Sequence, residues 1–244
     1  MGEDLQTIFG RKACMAVFRH RPQDIRRVFY RREGAGALGE MLKWAAANKR
    51  VYREVPEDEL GKLAKSNHHE GLVIVADSMR YEEPTAALAA SPGQWMALDR
   101  VENPHNLGAI LRTAAFFGLQ GVLVGGVSPG EKVNGAALRV AQGGAEGLTL
   151  CATPSLSATL RTLSGQGWQV LGLETGGQPI PSVLPLPSPW MLVAGHEGEG
   201  LSSDTKTACG ALIEIQGAGS VGSLNVSVAV GVALASLVGG SQPG

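Results

Sequence analysis

The stretch that most constrains this chain is Gly217-Ala-Gly-Ser-Val-Gly-Ser-Leu-Asn-Val-Ser-Val-Ala-Val-Gly-Val-Ala-Leu-Ala-Ser-Leu237. Its first seven residues, Gly217 to Ser223, hold three glycines and two serines. That composition resists helix and strand, and leaves a loop able to expose its own backbone N–H and C=O groups. The residues that follow are small and apolar nearly all round, as in a helix buried on most faces. Ser223 or Asn225 can cap that helix. A buried helix entered from an adaptable polar loop suits a cofactor pocket. An ordinary C-terminal helix behind a surface turn shows the same pattern, so other stretches must decide.

Ahead of that stretch, elements alternate in type. Residues 5–20 read as a short approach followed by an amphipathic helix, and Ile25–Tyr30 as a strand. A turn over 31–39, a helix over 40–47, a strand over 50–55, a helix over 57–64 and a strand over 71–76 follow. This predicts a small α/β module over residues 1–76. Residues 77–93, with Pro84, Ser91 and Pro92 around an alanine-rich run, predict a linker, either a loose tether or a packed helix. From 94 to 244 short apolar runs predict strands at 94–101, 121–125, 147–152, 168–173, 190–194 and 211–215, with helices between them. Runs that are continuously apolar rather than alternating predict a parallel sheet covered on both faces.

Charge divides the chain unevenly. Residues 1–53 carry 12 Lys or Arg against 5 Asp or Glu, while the remainder carries 9 against 17. A basic block in a nearly neutral chain is either a polyanion-binding surface or a solvated helix face. Cys14, Cys151 and Cys209 are far apart and form no CxxC pair, which speaks against a disulfide framework or a structural zinc site and suits a reducing cytoplasm. No apolar run reaches the roughly 18 residues of a membrane span. The start of the chain, with Glu3 and Asp4 before any apolar run, does not read as a signal peptide.

Open parallel sheets place ligands at the loops after their strands. Three such loops are unusual here. The first is Glu102-Asn-Pro-His-Asn-Leu-Gly108, running into a predicted helix (107–117) that carries Arg112. The second is Gly195-His-Glu-Gly-Glu-Gly-Leu-Ser202, whose glycines bring backbone close to some neighbour and leave Glu197 as the side chain held there. The third is the glycine and serine loop before Asn225. Standard nucleotide signatures are missing: there is no GxxxxGK[ST], and the turns at Gly125-Gly126 and Gly176-Gly177 lack the GxGxxG spacing. His68-His69 lacks the spacing of a zinc site and predicts an exposed turn.

Taken in order, Asn103-Pro-His-Asn-Leu-Gly-Ala-Ile-Leu-Arg-Thr113, Gly195-His-Glu-Gly-Glu-Gly-Leu-Ser202 and Gly219-Ser-Val-Gly-Ser-Leu-Asn-Val-Ser-Val-Ala229 resemble the three motifs of the SpoU class of RNA 2′-O-ribose methyltransferases, in the SPOUT superfamily. Leu138-Arg-Val-Ala-Gln-Gly-Gly-Ala-Glu-Gly147 is also similar to that class, and residues 1–76 resemble the small substrate-binding domain of its rRNA guanosine methyltransferases. The resemblance implies a deep trefoil knot in residues 94–244. It implies S-adenosyl-L-methionine held by Gly195, Ile215 and Leu224, and a catalytic neighbourhood of Arg112, Glu197, Asn225, Ser223 and Asn106. It further implies a cytoplasmic homodimer without a metal, acting on structured RNA, rRNA ahead of tRNA.

Chemistry constrains those implied roles. The family casts Arg112 as activator of the ribose hydroxyl, yet a guanidinium is essentially always protonated. A fork that grips phosphate and stabilises a developing alkoxide is the easier role. Glu197 can orient Arg112 or Asn225, accept a proton, or simply favour a helix start. Ser223 and Asn225 can donate to substrate, cap the last helix, or both, and Asn106 can be structural. Two other functions fit the resemblance: a catalytically silent RNA-binding or assembly factor of the same fold, and an enzyme that methylates a base.

Overall fold

The computed structural model describes residues 4–33 and 35–239. They form two compact units: one comprises the chain up to Met79 together with Gln142–Gly147, the other Arg80–Ala141 and the chain from Leu148 onward.

In the first unit β1 (Leu5–Phe9), α1 (Arg11–His20), β2 (Ile25–Tyr30), α2 (Gly39–Ala47), β3 (Val51–Glu54), α3 (Glu57–Ala64) and β4 (Leu72–Asp77) follow in order. The sheet order is β1-β4-β2-β3. Strand β4 runs antiparallel to β1 and β2, and β3 parallel to β2. Strand β1 stands where the sequence predicts an irregular approach. Its boundary is Gly10, whose φ of 86° is accessible mainly to glycine. Alternation sends Val28, Leu72 and Ile74 into one core with Cys14, Val17 and Met41, and Val73 into a second with Leu60 and Ala64 of α3. His69 is buried, with Nδ1 accepting from the Gly71 N–H and Nε2 3.4 Å from Glu57, which corrects the exposed-turn reading.

Much of the basic block is engaged within this unit. Arg21 is buried, and its guanidinium donates to both Glu146 oxygens (2.6 and 3.2 Å), to Asp24 and to the Asp77 carbonyl. Burial disfavours its charge, but those carboxylates outweigh burial and raise its pKa further. Arg26 pairs with Asp77, and Arg31 with Glu33 and Glu57. Arg19, Arg27 and Arg32 are exposed.

The second unit contains α4 (Pro84–Ala90), β5 (Gln94–Leu98), α5 (Pro104–Phe116), β6 (Gly121–Gly125), α6 (Gly135–Ala141), β7 (Thr149–Thr153), α7 (Leu156–Gly165), β8 (Gln169–Pro179), β9 (Trp190–Ala194), α8 (Ser203–Ala208), β10 (Ala211–Glu214) and α9 (Val226–Gly239). The segment predicted as a linker therefore includes a packed helix: α4 buries Pro84 and Leu88 and folds with this unit. The sheet is wholly parallel, in the order β10-β8-β9-β5-β6-β7. Trp95, Ala97, Leu123, Met191 and Val193 pack with α4, α7 and α8. Their strand neighbours Met96, Leu98, Val122 and Leu192 are buried on the opposite face, where α5 packs with α6, α9 and β6. This is the doubly covered parallel sheet that the apolar runs predict.

Three local differences matter. Strand β8 continues through Gly176 and Gly177, where the sequence predicts a turn; a Cβ on Gly177 would lie 2.7 Å from the Ile213 nitrogen, beside a register shift against β10. Ser155 precedes α7, where a serine is a favoured cap, but its side chain makes no capping bond. Helix α9 is buried along Val226, Val230, Ala233, Leu234 and Leu237, while Val228 and Val232 are exposed. It is thus buried on one face, not on most.

Candidate active site

Helix α5 begins three residues earlier than the sequence predicts. Asn103 caps it, its Oδ1 accepting from the His105 N–H at 2.9 Å, and Pro104 fills the first turn, where the missing N–H costs nothing. Asn106 therefore lies in the first turn and is buried, whereas Arg112 falls in the third. Six residues at about 100° each place their side chains about 120° apart around the helix. Arg112 is accordingly exposed, and among the described residues it has no hydrogen-bond or ion-pair partner.

The loop after β9 folds back on itself. His196 and Gly200 exchange two backbone hydrogen bonds, and His196 Nδ1 accepts from the Gly198 and Glu199 N–H groups. Gly195 is buried, and a Cβ there would lie 2.2 Å from the Gly200 carbonyl carbon. The close neighbour that this glycine makes room for is the loop's own backbone.

Three loops meet through side chains. Asn106 Nδ2 donates to Glu197 Oε1 at 2.7 Å, and Asn225 Nδ2 donates to Asn106 Oδ1 at 3.1 Å. Asn225 Oδ1 accepts from the Ser227 N–H (2.9 Å) and hydroxyl (2.6 Å), so Asn225 is the residue that caps α9. The amide of Asn106 is thus fixed at both ends. Partial burial works against the Glu197 charge, but the Asn106 amide, two backbone N–H groups and the His196 ring outweigh it. They hold the carboxyl below its usual range, so Glu197 is an anion near neutral pH.

The remaining candidates line the approach to α9. Ile215 is half-buried just beyond β10, while Ser223 and Leu224 are exposed. Among the described residues, the polar groups of residues 217–224 have no hydrogen-bond partner. A Cβ on Gly217, Gly219 or Gly222 would meet nothing within 4 Å. The loop's backbone is therefore free to bond a ligand. Ser227 and the residues that hold the 195–202 loop from outside escape sequence reasoning; the Asn225-Val-Ser227 spacing, a side-chain cap bonding two residues on, is the one local signal for Ser227. No group of three or more His, Cys, Asp or Glu among the described residues is placed to hold a metal ion. All three cysteines are free, and burial pushes Cys151 and Cys209 up to about 12.

A sequence profile of the SpoU rRNA Methylase family matches residues 94–235, which include all three loops. This chain belongs to that family. A second profile, RNA 2′-O ribose methyltransferase substrate binding, matches residues 7–82. The chain is 33% identical over 230 residues to an uncharacterized tRNA/rRNA methyltransferase, YfiF, of Escherichia coli O157:H7, covering 93% of this chain and 66% of that one. It is 32% identical over 240 residues to an uncharacterized tRNA/rRNA methyltransferase of Mycolicibacterium paratuberculosis, covering 96% and 77%. The chain thus spans from two thirds to about three quarters of the length of these relatives. Its fold matches an AdoMet-bound rRNA methyltransferase from Sinorhizobium meliloti with a TM-score of 0.78 at 22% identity, over 96% of this chain and 86% of the other.

Proposed function

We propose that this SpoU-family chain transfers a methyl group from S-adenosyl-L-methionine to a ribose 2′-hydroxyl of structured RNA, rRNA ahead of tRNA. The observation that carries the reading is the Glu197–Asn106–Asn225 relay, which ties the three motif loops into one site beside the unpaired backbone of residues 217–224. The substrate-binding profile over the first unit and the names of the relatives support RNA as the substrate.

The fit of the cofactor rests on that loop. Free backbone N–H and C=O groups, the half-buried Ile215, the exposed Leu224 and the close-packed turn at Gly195 suit an adenosine moiety and an amino-acid tail. S-adenosylmethionine would supply an electrophilic sulfonium methyl group there. The work left to the protein is to aim the ribose oxygen and stabilise it as its proton leaves. Arg112, exposed and without a partner, is available as a planar fork for phosphate and developing alkoxide. Glu197, an anion fixed by Asn106, can accept or relay the proton. The exposed Ser223 hydroxyl and the free backbone around it are available to orient substrate, while Asn225 caps α9 and its amide holds Asn106.

Two architectural readings accompany the proposal. The C-terminal segment threads a loop to form a trefoil knot; β10 stands at the sheet edge beyond β8, while α9 returns to pack on α5 and on the 180–183 turn. The protein works as a cytoplasmic homodimer, pairing through an apolar patch. Phe116 is 82% exposed, and Val228 and Val232 are exposed on α9, the helix whose Gly231 nears Thr113 of α5. Arg112 is one turn from Phe116 on the same face, at the rim of this patch.

Incubation with methyl-labelled S-adenosylmethionine and separated rRNA and tRNA tests the proposal. Label should enter rRNA in preference to tRNA, and Glu197→Gln should suppress it. Cofactor binding without transfer to any RNA would favour the silent assembly factor and overturn the proposal.

A further inference from the structure

The segment from the end of β5 into the first turn of α5 grips the Glu197 loop at two ends. At one end stands the Asn106–Glu197 bond. At the other, directly after β5, lie Asp99 and Arg100. Asp99 is 5% exposed, and its Oδ2 accepts the Ser202 N–H at 2.7 Å. Arg100 donates from Nη1 to Glu199 Oε2 at 2.6 Å and from Nη2 to the Gly200 carbonyl at 3.3 Å, with Nε 3.5 Å from Asp99. Its φ is 58°, in the left-handed region that glycine and asparagine enter far more readily than arginine. A long side chain is thus kept in a backbone conformation that disfavours it, at the point from which its fork spans the loop. From the opposite side Glu174 Oε2 accepts the Leu201 N–H at 3.1 Å, and Glu174 Oε1 is 3.2 Å from Lys206. None of these residues belongs to the three loops' own relay.

We infer that Arg100 is a positioning residue, whose clasp on Glu199 and the Gly200 carbonyl holds the 195–202 loop so that Glu197 stays aimed at Asn106. A planar fork suits the task because it meets a carboxylate and a carbonyl at once, which an ammonium cannot do in fixed geometry. As a statement about methyl transfer, the inference rests on the proposed function. As a statement about loop order, it does not.

The test is hydrogen exchange over residues 196–202, measured with steady-state methylation in the full-length protein. Arg100→Asn removes the fork while accepting the left-handed backbone. Losing an ion pair of this exposure should raise exchange in the loop about fivefold. The turnover number should fall by a similar factor with KM for RNA unchanged. Arg100→Lys should recover part of both. Glu199→Gln should act in the same direction, and the double variant Arg100→Asn/Glu199→Gln should be no worse than Arg100→Asn alone. Unchanged exchange, additive losses, or a loosened loop with undiminished turnover would each overturn the inference. A parent protein that transfers no methyl group would sink the proposed function instead, and the exchange data would still judge the clasp.

Discussion

Replacing Asn106 by Asp tests the relay with a near-isosteric change. In the parent, an amide donates to a carboxylate across 2.7 Å; in the variant, two carboxylate oxygens would face each other across the same gap. A hydrogen bond to a charged group contributes about 1.5–3 kcal/mol when well shielded. Glu197 is only partly buried, so solvent screening reduces the expected loss to about 1–2 kcal/mol at neutral pH. For a unit of this size that is a drop in melting temperature of about 2–8 °C. The pH dependence carries the sharper signature. In the parent, Glu197 is held below its unfolded value, so its stabilisation is present above that value and lost as pH falls through the depressed one. In the Asn106→Asp variant, the introduced carboxyl and Glu197 titrate as a unit with one pKa raised, because two adjacent carboxylates resist ionising together. The penalty of that pair is absent below the unfolded carboxylate value and grows as pH rises through the raised one. The gap in melting temperature between parent and variant, followed by near-ultraviolet circular dichroism, should therefore widen from about pH 4 to pH 7. A gap that is flat or narrows with pH would refute the geometry assigned to this relay.

Arg112→Lys keeps the charge and loses the fork, so turnover should fall about a hundredfold while cofactor affinity measured by calorimetry stays within about twofold. Arg21→Met leaves Glu146, whose side chain is only 5% exposed, without its partner; chemical denaturation of the first unit should show about 3–5 kcal/mol lost. Val232→Asp places a charge in the exposed apolar face of α9, and light scattering should show a monomer with sharply reduced methylation. Arg27→Glu, on an exposed position of β2, should weaken RNA binding and flatten its salt dependence by about 0.7 in log–log slope for each phosphate left unneutralised.

Much of this protein is legible in its sequence because the second unit is built from short apolar runs between glycines. The predicted strands at 121–125 and 190–194 coincide with β6 and β9. Where local pattern and tertiary packing disagree, packing prevails. Gly176 and Gly177 read as a turn, but they lie in β8, where β10 approaches too closely for a side chain on Gly177. The alanine-rich run at 84–90 reads equally as tether or helix, and burial of Leu88 decides for the helix. The basic block reads as either a polyanion-binding surface or a solvated helix face, and nothing local shows that Arg21 instead finds Glu146, 125 residues away. In the site, the residue types at Asn106, Glu197 and Asn225 are visible in the motifs, but not that one amide joins the other two. Arg112 and Asn106 share a helix and a motif, yet helix geometry turns them about 120° apart. The Asn103-Pro104 pair, which moves the helix start and sets that angle, is the signal that a purely apolar reading of residues 107–117 passes over.

Locating the transferred methyl group tests the central claim most directly. RNA methylated by the purified protein with deuterated-methyl S-adenosylmethionine would be digested to nucleosides and fragmented in a mass spectrometer. Ribose methylation leaves the freed base at its ordinary mass and removes the 2′-hydroxyl that alkaline cleavage of the next phosphodiester requires. The proposed function predicts label on the ribose fragment and an alkali-resistant linkage at one position. Label that stays with the base, or a modified site that alkali still cleaves, would contradict it.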